Sequence, residues 1–522
     1  MRELKTLEGL QCCLSAWQQP ALAAGAVDTA SVGLVPTMGA LHRGHLSLVH
    51  RARGENDRVV VTIFVNPLQF APGEDLDQYP RTLEADLAQC KAAGVDAVFC
   101  PSPITLYGGE PQEIALTQVV PPPELMAHLC GPYRPGHFAG VTTVVAKLLN
   151  LVQPHRVYFG EKDAQQLAIL RRLVADLNWP VTVVGCPTVR EPDGLALSSR
   201  NQYLTPAERT QASLLYQGLQ VARDAFEGGE RRAATLVAMV QKGLAAAPDL
   251  RPQYVELVHP VMLQPLEQVE TTGLLAIAAY LGRTRLIDNL LLRSRQPIVA
   301  IDGPAGAGKS TVTRLVADAL GLLYLDTGAM YRAVTWRVLQ VGIDPKDEVA
   351  VAELLADCII RLAPSPQKEG QPSPSQVWVN GVEVTQAIRS PEVTALVSTV
   401  AAQPMVRQVL LRQQQDYGQA GGVVMEGRDI GTQVFPEAEV KIFLTASVQE
   451  RARRRQRDLA AQNQPATSLE ALEKAIDERD RKDSTRRVAP LRKAADAVEV
   501  VTDGLTIEQV VAKIVSLCRR SI

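Results

Sequence analysis

No apolar run approaches the about 20 residues that a membrane-spanning helix needs. The longest, around Leu274–Leu281, is less than half that length. The opening Met1-Arg2-Glu3-Leu4-Lys5 lacks the pattern of a secretory signal, so a protein kept in the cytoplasm, with no membrane partner, is expected. Neither sign of charge dominates: 54 Lys+Arg against 56 Asp+Glu leave a net charge of −2. That balance exerts no long-range pull on polyanions, which argues against nucleic acid as a partner and against a polybasic anchor. Any anion must be met by a local site. Cysteine is sparse, with eight residues, no C-x-x-C pair and only Cys12 and Cys13 adjacent. Reduced thiols are expected rather than disulfides or zinc ligands. There is no internal repeat and no Asn-Lys-x-Asp guanine signature.

At roughly 100–200 residues per domain, a chain of 522 residues predicts three or four domains. In the first half, β-branched runs at Val32–Val35, Val59–Val65, Val95–Phe99, Arg156–Phe159 and Val181–Val184 alternate with Ala/Leu/Arg-rich stretches. That rhythm predicts βαβ units and a parallel sheet. From about Cys186 a helical stretch, Pro206–Ala247, precedes strands at Tyr254–Val258 and Leu274–Tyr280, the pattern of a small α+β subdomain. A polar run, Arg293-Ser294-Arg295-Gln296-Pro297, separates this half from a new strand at Ile298–Ile301. The expected division is therefore residues 1–185, 186–292 and 297–522. In the last part, Pro364–Ser375 reads as a polar surface loop. Asn380-Gly381 between alternating runs predicts a type I′ hairpin.

Two motifs carry chemistry. Pro36-Thr37-Met38-Gly39-Ala40-Leu41-His42-Arg43-Gly44-His45 sits at a strand-to-helix turn. Histidines three apart at a helix start share one face beside backbone N–H groups that attract phosphate, and Gly44 would admit a ligand to the backbone. A zinc pair or two capping histidines are the alternatives for an isolated H-x-G-H. The upstream strand and the lack of a third ligand nearby favour phosphate. In the second half, Gly303-Pro304-Ala305-Gly306-Ala307-Gly308-Lys309-Ser310 satisfies G-x-x-x-x-G-K-[ST] between a strand and the helical Thr311–Leu320. Its N–H groups would cradle phosphate, with Lys309 on the γ-phosphate and Ser310 on Mg²⁺.

The first 282 or so residues resemble pantothenate synthetase through this block and four more: Phe64–Phe70, Leu129–Val141, Phe159–Leu167 and Val189–Asn201. The resemblance implies a Rossmann-like nucleotidyltransferase domain with a closing subdomain, joining pantoate to β-alanine through a pantoyl adenylate at the expense of ATP. It implies that His42, His45 and Lys162 contact ATP phosphates, with Met38, Gly39, Gly160 and Asp163 also at ATP, and that Ser198, Ser199 and Arg200 form a second clamp. Gln69 and Gln166 would hold pantoate, Asn66 the amine, and Asp86 with Gln89 Mg²⁺; a solvated helix face is the alternative for that last pair. His137 is either a substrate contact or a turn-stabilising residue. Two positions depart from the family: Arg43 stands where an acidic residue is usual, and Leu197 replaces a common methionine. Arg43 is expected to face away from the ligand, and Leu for Met nearly conserves volume. A homodimer through this half is also implied.

Residues 297–522 resemble cytidylate kinase, a P-loop nucleoside monophosphate kinase. The blocks are GPAGAGKST, Leu325–Arg332, Glu426–Thr432 and Arg479-Asp480…Asp483…Arg486-Arg487-Val488-Ala489-Pro490. The resemblance implies ATP contacts at Gly303, Gly306, Gly308, Lys309, Ser310 and Thr311. Arg332, Arg428 and Arg486 would hold the acceptor phosphate, Arg479 would neutralise the transferred group, and Asp483 would bind the sugar. Ser398, Arg407 and Asp429 would read the cytosine edge of CMP or dCMP; the alternative for Asp429 is a salt bridge to Arg428. Most of Arg451, Arg453, Arg454, Arg455 and Arg457 are expected to be solvated, with Arg451 or Arg455 as possible nucleotide contacts. Rival readings keep both folds but change the substrates, or make one half a ligand-binding regulator. Retention of Lys162, the Ser-Ser-Arg clamp, Lys309 and Arg428 argues against the regulator.

Overall fold

The computed structural model describes residues 1–18, 30–70, 74, 76–109, 115–294, 296–363, 376–461, 468–485, 490–494 and 496–521. The expectations for Pro364–Ser375 and for Arg486, Arg487, Val488 and Ala489 lie outside the described residues. The chain divides into two compact units, Met1–Ser294 and Arg295–Ile522.

The first unit opens with strands β1 (Arg2–Leu4), β2 (Val32–Thr37), β3 (Arg58–Ile63), β4 (Ala97–Phe99), β5 (Arg156–Gly160) and β6 (Thr182–Cys186). They form one parallel sheet in the order β1-β4-β3-β2-β5-β6. Both faces are covered, so the strands are apolar at successive positions rather than alternating. Leu34, Val60 and Val157 pack on one side with Val145 and Leu148 of the helix His137–Val152. Val35, Val59 and Val61 pack on the other with Leu48 and Val49 of the helix Arg43–Glu55. This places the C-terminal ends of β2, β3 and β5, where parallel sheets hold their ligands, beside the start of Arg43–Glu55.

An antiparallel meander follows, β7 (Leu250–Val258), β8 (Thr272–Leu281) and β9 (Thr284–Arg293). Its alternation is two-sided. Leu275 and Ile277 meet the helices Leu214–Glu227 and Ala233–Leu244, whereas Leu274, Ala276 and Ala278 meet Leu129, Phe138 and Ile169. The second face thereby seals the meander onto the parallel-sheet layer.

In the second unit, β10 (Gln296–Asp302), β11 (Leu323–Asp326), β12 (Ile360–Ala363), β13 (Gln376–Val379), β14 (Val382–Glu383), β15 (Gly421–Gly427), β16 (Val440–Thr445) and β17 (Val498–Val501) make two sheets. The main one is parallel, ordered β11-β15-β10-β16-β17; β12-β13-β14 is a small antiparallel sheet. Asn380 (φ +50°) and Gly381 (φ +82°) both adopt left-handed backbone, as the expected turn demands. The α/β class expected for both halves holds. All eight cysteines are unpaired; Cys12 is exposed and six are buried. No helix among the described residues is long and apolar enough to cross a membrane.

Candidate active sites

A cleft of about 900 Å³ in the first unit is lined by Met38, His42, His45, Gln69, Lys162, Asp163, Gln166, Ser198, Ser199 and Arg200. Thus ten residues expected on separate motifs converge. His42 is the N-cap of Arg43–Glu55: its Nδ1 accepts from the Gly44 N–H (3.1 Å), and His45 Nδ1 accepts from the His42 N–H (3.4 Å). Burial first, then the charge of Lys162, lowers His42 to about 4. Burial, His42 and Lys162 lower His45 to about 3. Both rings are therefore neutral near pH 7. With Nδ1 accepting, each carries its proton on Nε2. The capping and phosphate-binding readings are not rivals, because the cap fixes the tautomer that leaves an Nε2–H donor. Gly44 lines the cleft, and a Cβ there would lie 2.8 Å from the His42 ring, so the glycine also makes room for that ring. Among the described residues no group of three or more His, Cys, Asp or Glu suited to a metal occurs.

The turn before His42 is held from two sides. Gly39 (φ +84°) and Ala40 (φ +48°) are both left-handed, a conformation that costs a non-glycine residue about 1–2 kcal/mol. Asp86 accepts from the Ala40 and Leu41 N–H groups (2.9 and 2.8 Å), and Ser199 donates to the Ala40 carbonyl (3.1 Å). Here two expectations change. Asp86 is buried, not on a solvated face, and both of its carboxylate oxygens are engaged by the turn instead of facing a metal. Gln89, partly buried beside it, approaches the Leu41 carbonyl (3.5 Å). Asn66 likewise is buried and engaged: it accepts from Tyr107 (2.8 Å) and donates to the Gly140 carbonyl and Gln69 (3.1 and 3.3 Å). It lines the cleft and holds the Gln69 side chain. His137 is the turn-stabilising residue, with Nδ1 on the Gln69 carbonyl (2.7 Å) and Nε2 facing Arg134 (2.9 Å).

Lys162, lowered chiefly by burial, sits on a loop that β9 fixes, because Asn289 donates to the Glu161 and Lys162 carbonyls (2.9 and 2.8 Å). Next to it, buried Asp288 takes a two-pronged contact from Arg190 (2.6 and 2.9 Å). Neither Asp288 nor Asn289 was foreseen. Gly160 ends β5 beside this loop. Arg43, largely exposed, pairs with Glu191 at 2.8 Å, away from the imidazoles. Ser198 caps the following turn by accepting from the Arg200 N–H (3.3 Å).

In the second unit, a Cβ on Gly303 (φ +152°) would lie 1.9 Å from the Leu444 carbonyl oxygen, so only glycine fits there. Gly306 and Gly308 also have positive φ, and the helix Lys309–Leu320 begins the run that includes Thr311. Lys309 Nζ donates to the Gly303 and Pro304 carbonyls (both 2.7 Å), and burial followed by Arg428 pushes it down to about 7. Ser310 donates to Glu426 (3.0 Å), which also accepts from Tyr324 (2.5 Å). Asp302 receives the Ile430 and Gly431 N–H groups (2.8 and 2.7 Å), yet burial raises it to about 6. Glu426 and Asp302 were not singled out by the sequence.

Arg428 pairs with Asp483 (2.9 Å), and Asp429 pairs with buried Arg407 (2.7 Å), whose guanidinium lies over the Tyr331 ring. The alternative partner for Asp429, Arg428, is thus engaged elsewhere. Arg332 lies 3.9 Å from Asp326. Arg479 shares a field of like charge with Arg428, Arg332 and Arg455. Ser398 is exposed on the helix Pro391–Ala402, and Arg486 lies outside the described residues. On the helix Val448–Ala461 two of the five arginines are held by the P-loop: Arg451 is buried on the Ala305 carbonyl (3.1 Å), and Arg454 reaches that of Ala307 (3.3 Å). Arg453, Arg455 and Arg457 are exposed.

Nε2–H donors with a lysine at the end of one parallel sheet, and a P-loop with converging arginines at another, define a two-part enzyme of nucleotide chemistry. Residues 4–291 match the pantoate-beta-alanine ligase family and 299–520 the cytidylate kinase family. A bifunctional pantoate ligase/cytidylate kinase of Trichormus variabilis is 58% identical over 99% of this chain and 98% of its own. The protein of the same description from Synechococcus elongatus is 60% identical over 94% and 92%. The crystal structure of pantothenate synthetase from Thermus thermophilus is 48% identical over 56% of this chain and 99% of its own, with a TM-score of 0.51. The chain belongs to the bifunctional pantoate ligase/cytidylate kinase family, an enzyme with both activities.

Proposed function

We propose that the first unit forms pantothenate in two steps in the one cleft. A pantoate carboxylate oxygen attacks the α-phosphorus of ATP and pyrophosphate leaves; the β-alanine amine then attacks the acyl carbon and AMP leaves. The observation that carries this reading is the pair of neutral imidazoles whose tautomers are fixed by the helix cap beside Lys162. Their Nε2–H donors stabilise oxygens on which charge grows, while leaving the attacking carboxylate unpaired. Ser198, Ser199 and Arg200 form the second clamp, and Gly39 and Asp163 border the nucleotide. Gln69 and Gln166 orient pantoate through neutral amides. The test is pantoate-dependent pyrophosphate release in His45→Ala, expected about 10²- to 10³-fold slower; release near the wild-type rate overturns the role.

In the second unit a phosphate oxygen of CMP or dCMP attacks the γ-phosphorus of ATP and ADP leaves. Lys309 turns from loop carbonyls to phosphate; Arg332, Arg428 and Arg486 hold the acceptor, Arg479 meets the transferred group and Asp483 the sugar. Asp429 accepts from cytosine N4, flanked by donors on Arg407 and Ser398. The metal is Mg²⁺, which neutralises phosphate oxygens when bound. The Ser310 hydroxyl beside the Glu426 carboxylate is an oxygen donor set that suits this hard cation. In the first unit Mg²⁺ accompanies ATP without help from Asp86. The enzyme works in the cytoplasm as a homodimer through the first unit. Residues 1–185 and 186–292 act as base and lid of one site, separable from 297–522 as an active fragment.

A further inference from the structure

The guanidinium of Arg451 makes three directed contacts. Nε donates to the Ala446 carbonyl (3.0 Å), Nη1 to the Ala305 carbonyl within the P-loop (3.1 Å), and Nη2 meets Asp480 at 2.5 Å. The Arg451 side chain is 4% exposed and Asp480 23%. Its Cβ and Cγ lie 3.4 and 3.8 Å from where a Cβ on Gly306 would stand, ordinary contact distances, so the stem packs along the P-loop. A buried cation fully engaged in this way is not a free nucleotide contact.

Asp480 lies on the helix Leu469–Thr485, next to Arg479, and Asp483 on the same helix is held by Arg428 at the end of β15. This helix is therefore tied at two points, through Asp480 to the donor loop and through Asp483 to the acceptor arginine, with Arg479 adjoining both ties. We propose that the Arg451–Asp480 pair is a positioning device that sets Arg479 against the phosphates lying on the P-loop. Arg451 and Asp480 touch neither substrate; they act through Arg479. The inference rests on the assignment of Arg479 to the transferred phosphoryl group.

The test is a double-mutant cycle in the full chain, with pantothenate formation as the internal control for intact protein. Asp480→Asn should lower kcat for CMP phosphorylation about 10- to 100-fold, the cost of a displaced catalytic group, with the KM values for ATP and CMP changed less than 3-fold. Asp480→Glu should recover part of that loss. In an Arg479→Ala background, Asp480→Asn should cost less than about 3-fold more, because the group it positions is gone. Should Asp480→Asn fail to bind ATP, the cycle is run with Arg451→Lys, which keeps the charge. A full, multiplicative loss in the Arg479→Ala background overturns the positioning role, as does a raised KM for ATP at unchanged kcat. If Arg479→Ala alone keeps the wild-type rate, the assignment of Arg479 falls and takes the inference with it.

Discussion

In the first unit the groups at the helix start that line the cleft are uncharged: two imidazoles held at about 4 and about 3, each with its proton on Nε2. In the second the corresponding turn ends in a buried lysine, with Arg428 and Arg479 close enough to push it down. The contrast follows from the reactions. A carboxylate attacking the α-phosphate must stay nucleophilic, and a strong cation beside it would hold it as an ion pair. Transfer between two phosphates brings two anions together and needs net positive charge on both. The anchoring differs in the same sense. A carboxylate, Asp86, grips N–H groups of the first turn, whereas arginines 451 and 454 grip carbonyls of the second. A turn stripped of two donors by Asp86 offers side-chain donors to its ligand. A turn whose carbonyls are covered keeps its N–H groups for phosphate.

The largest effect that tests this contrast is Lys309→Ala. CMP phosphorylation should fall by about 10³-fold or more while pantothenate formation by the same chain is unchanged; a fall in both activities would show that the sites are not independent. Next is acceptor choice. Asp429→Ala should cost CMP about 1–3 kcal/mol more than UMP, drawing their kcat/KM ratio toward unity; an equal loss for both would reduce Asp429 to a support for Arg407.

A smaller effect is expected from Asp86→Asn, which turns one of two acceptors into an amide donor facing a buried N–H. Adenylation should slow about 10-fold, with the Mg²⁺ concentration for half-activity unchanged; a shift in that concentration would restore the metal role. The smallest concerns pH. The folded pKa values of His42 and His45 lie below the unfolded value of 6.5, so the unfolded chain binds protons first. Their contribution is complete above about 6.5 and is lost as pH falls toward 4 and 3. Urea midpoints of the first unit should decline between pH 7 and 5, and less so in His42→Ala/His45→Ala.

The sequence was most legible where one short segment carries both the element and the chemistry. β2 with the H-x-G-H turn, and β10 with the P-loop, could be placed because strand, glycine turn and helix are contiguous. β9 escaped notice because Asp288 and Asn289 interrupt its apolar alternation, and those residues are what fix Arg190 and the Lys162 loop. β1 is three residues long, too short to show a period. The supporting groups were illegible for a common reason. Asp86 reaches a turn 46 residues away and Arg451 a loop 146 residues away, distances only folding closes. Helical spacing cannot tell a buried arginine from a solvated one, so the run was read as mostly solvated, which holds for Arg453, Arg455 and Arg457, while the loop contacts of Arg451 and Arg454 went unseen.

The contrast between a neutral and a cationic helix start is tested most directly by proton uptake on ATP binding. Calorimetric titrations at pH 8, in two buffers of different ionisation enthalpy, would compare His45→Ala, which leaves the second site intact, with Lys309→Ala, which leaves the first. Phosphate beside Lys309 should restore its pKa from about 7 toward its ordinary value, so His45→Ala should take up on the order of half a proton or more. Lys309→Ala should take up less, because its imidazoles stay neutral and only Lys162, lowered by burial, is left to gain a proton beside phosphate. Equal uptake by the two variants, or uptake confined to Lys309→Ala, would contradict the account.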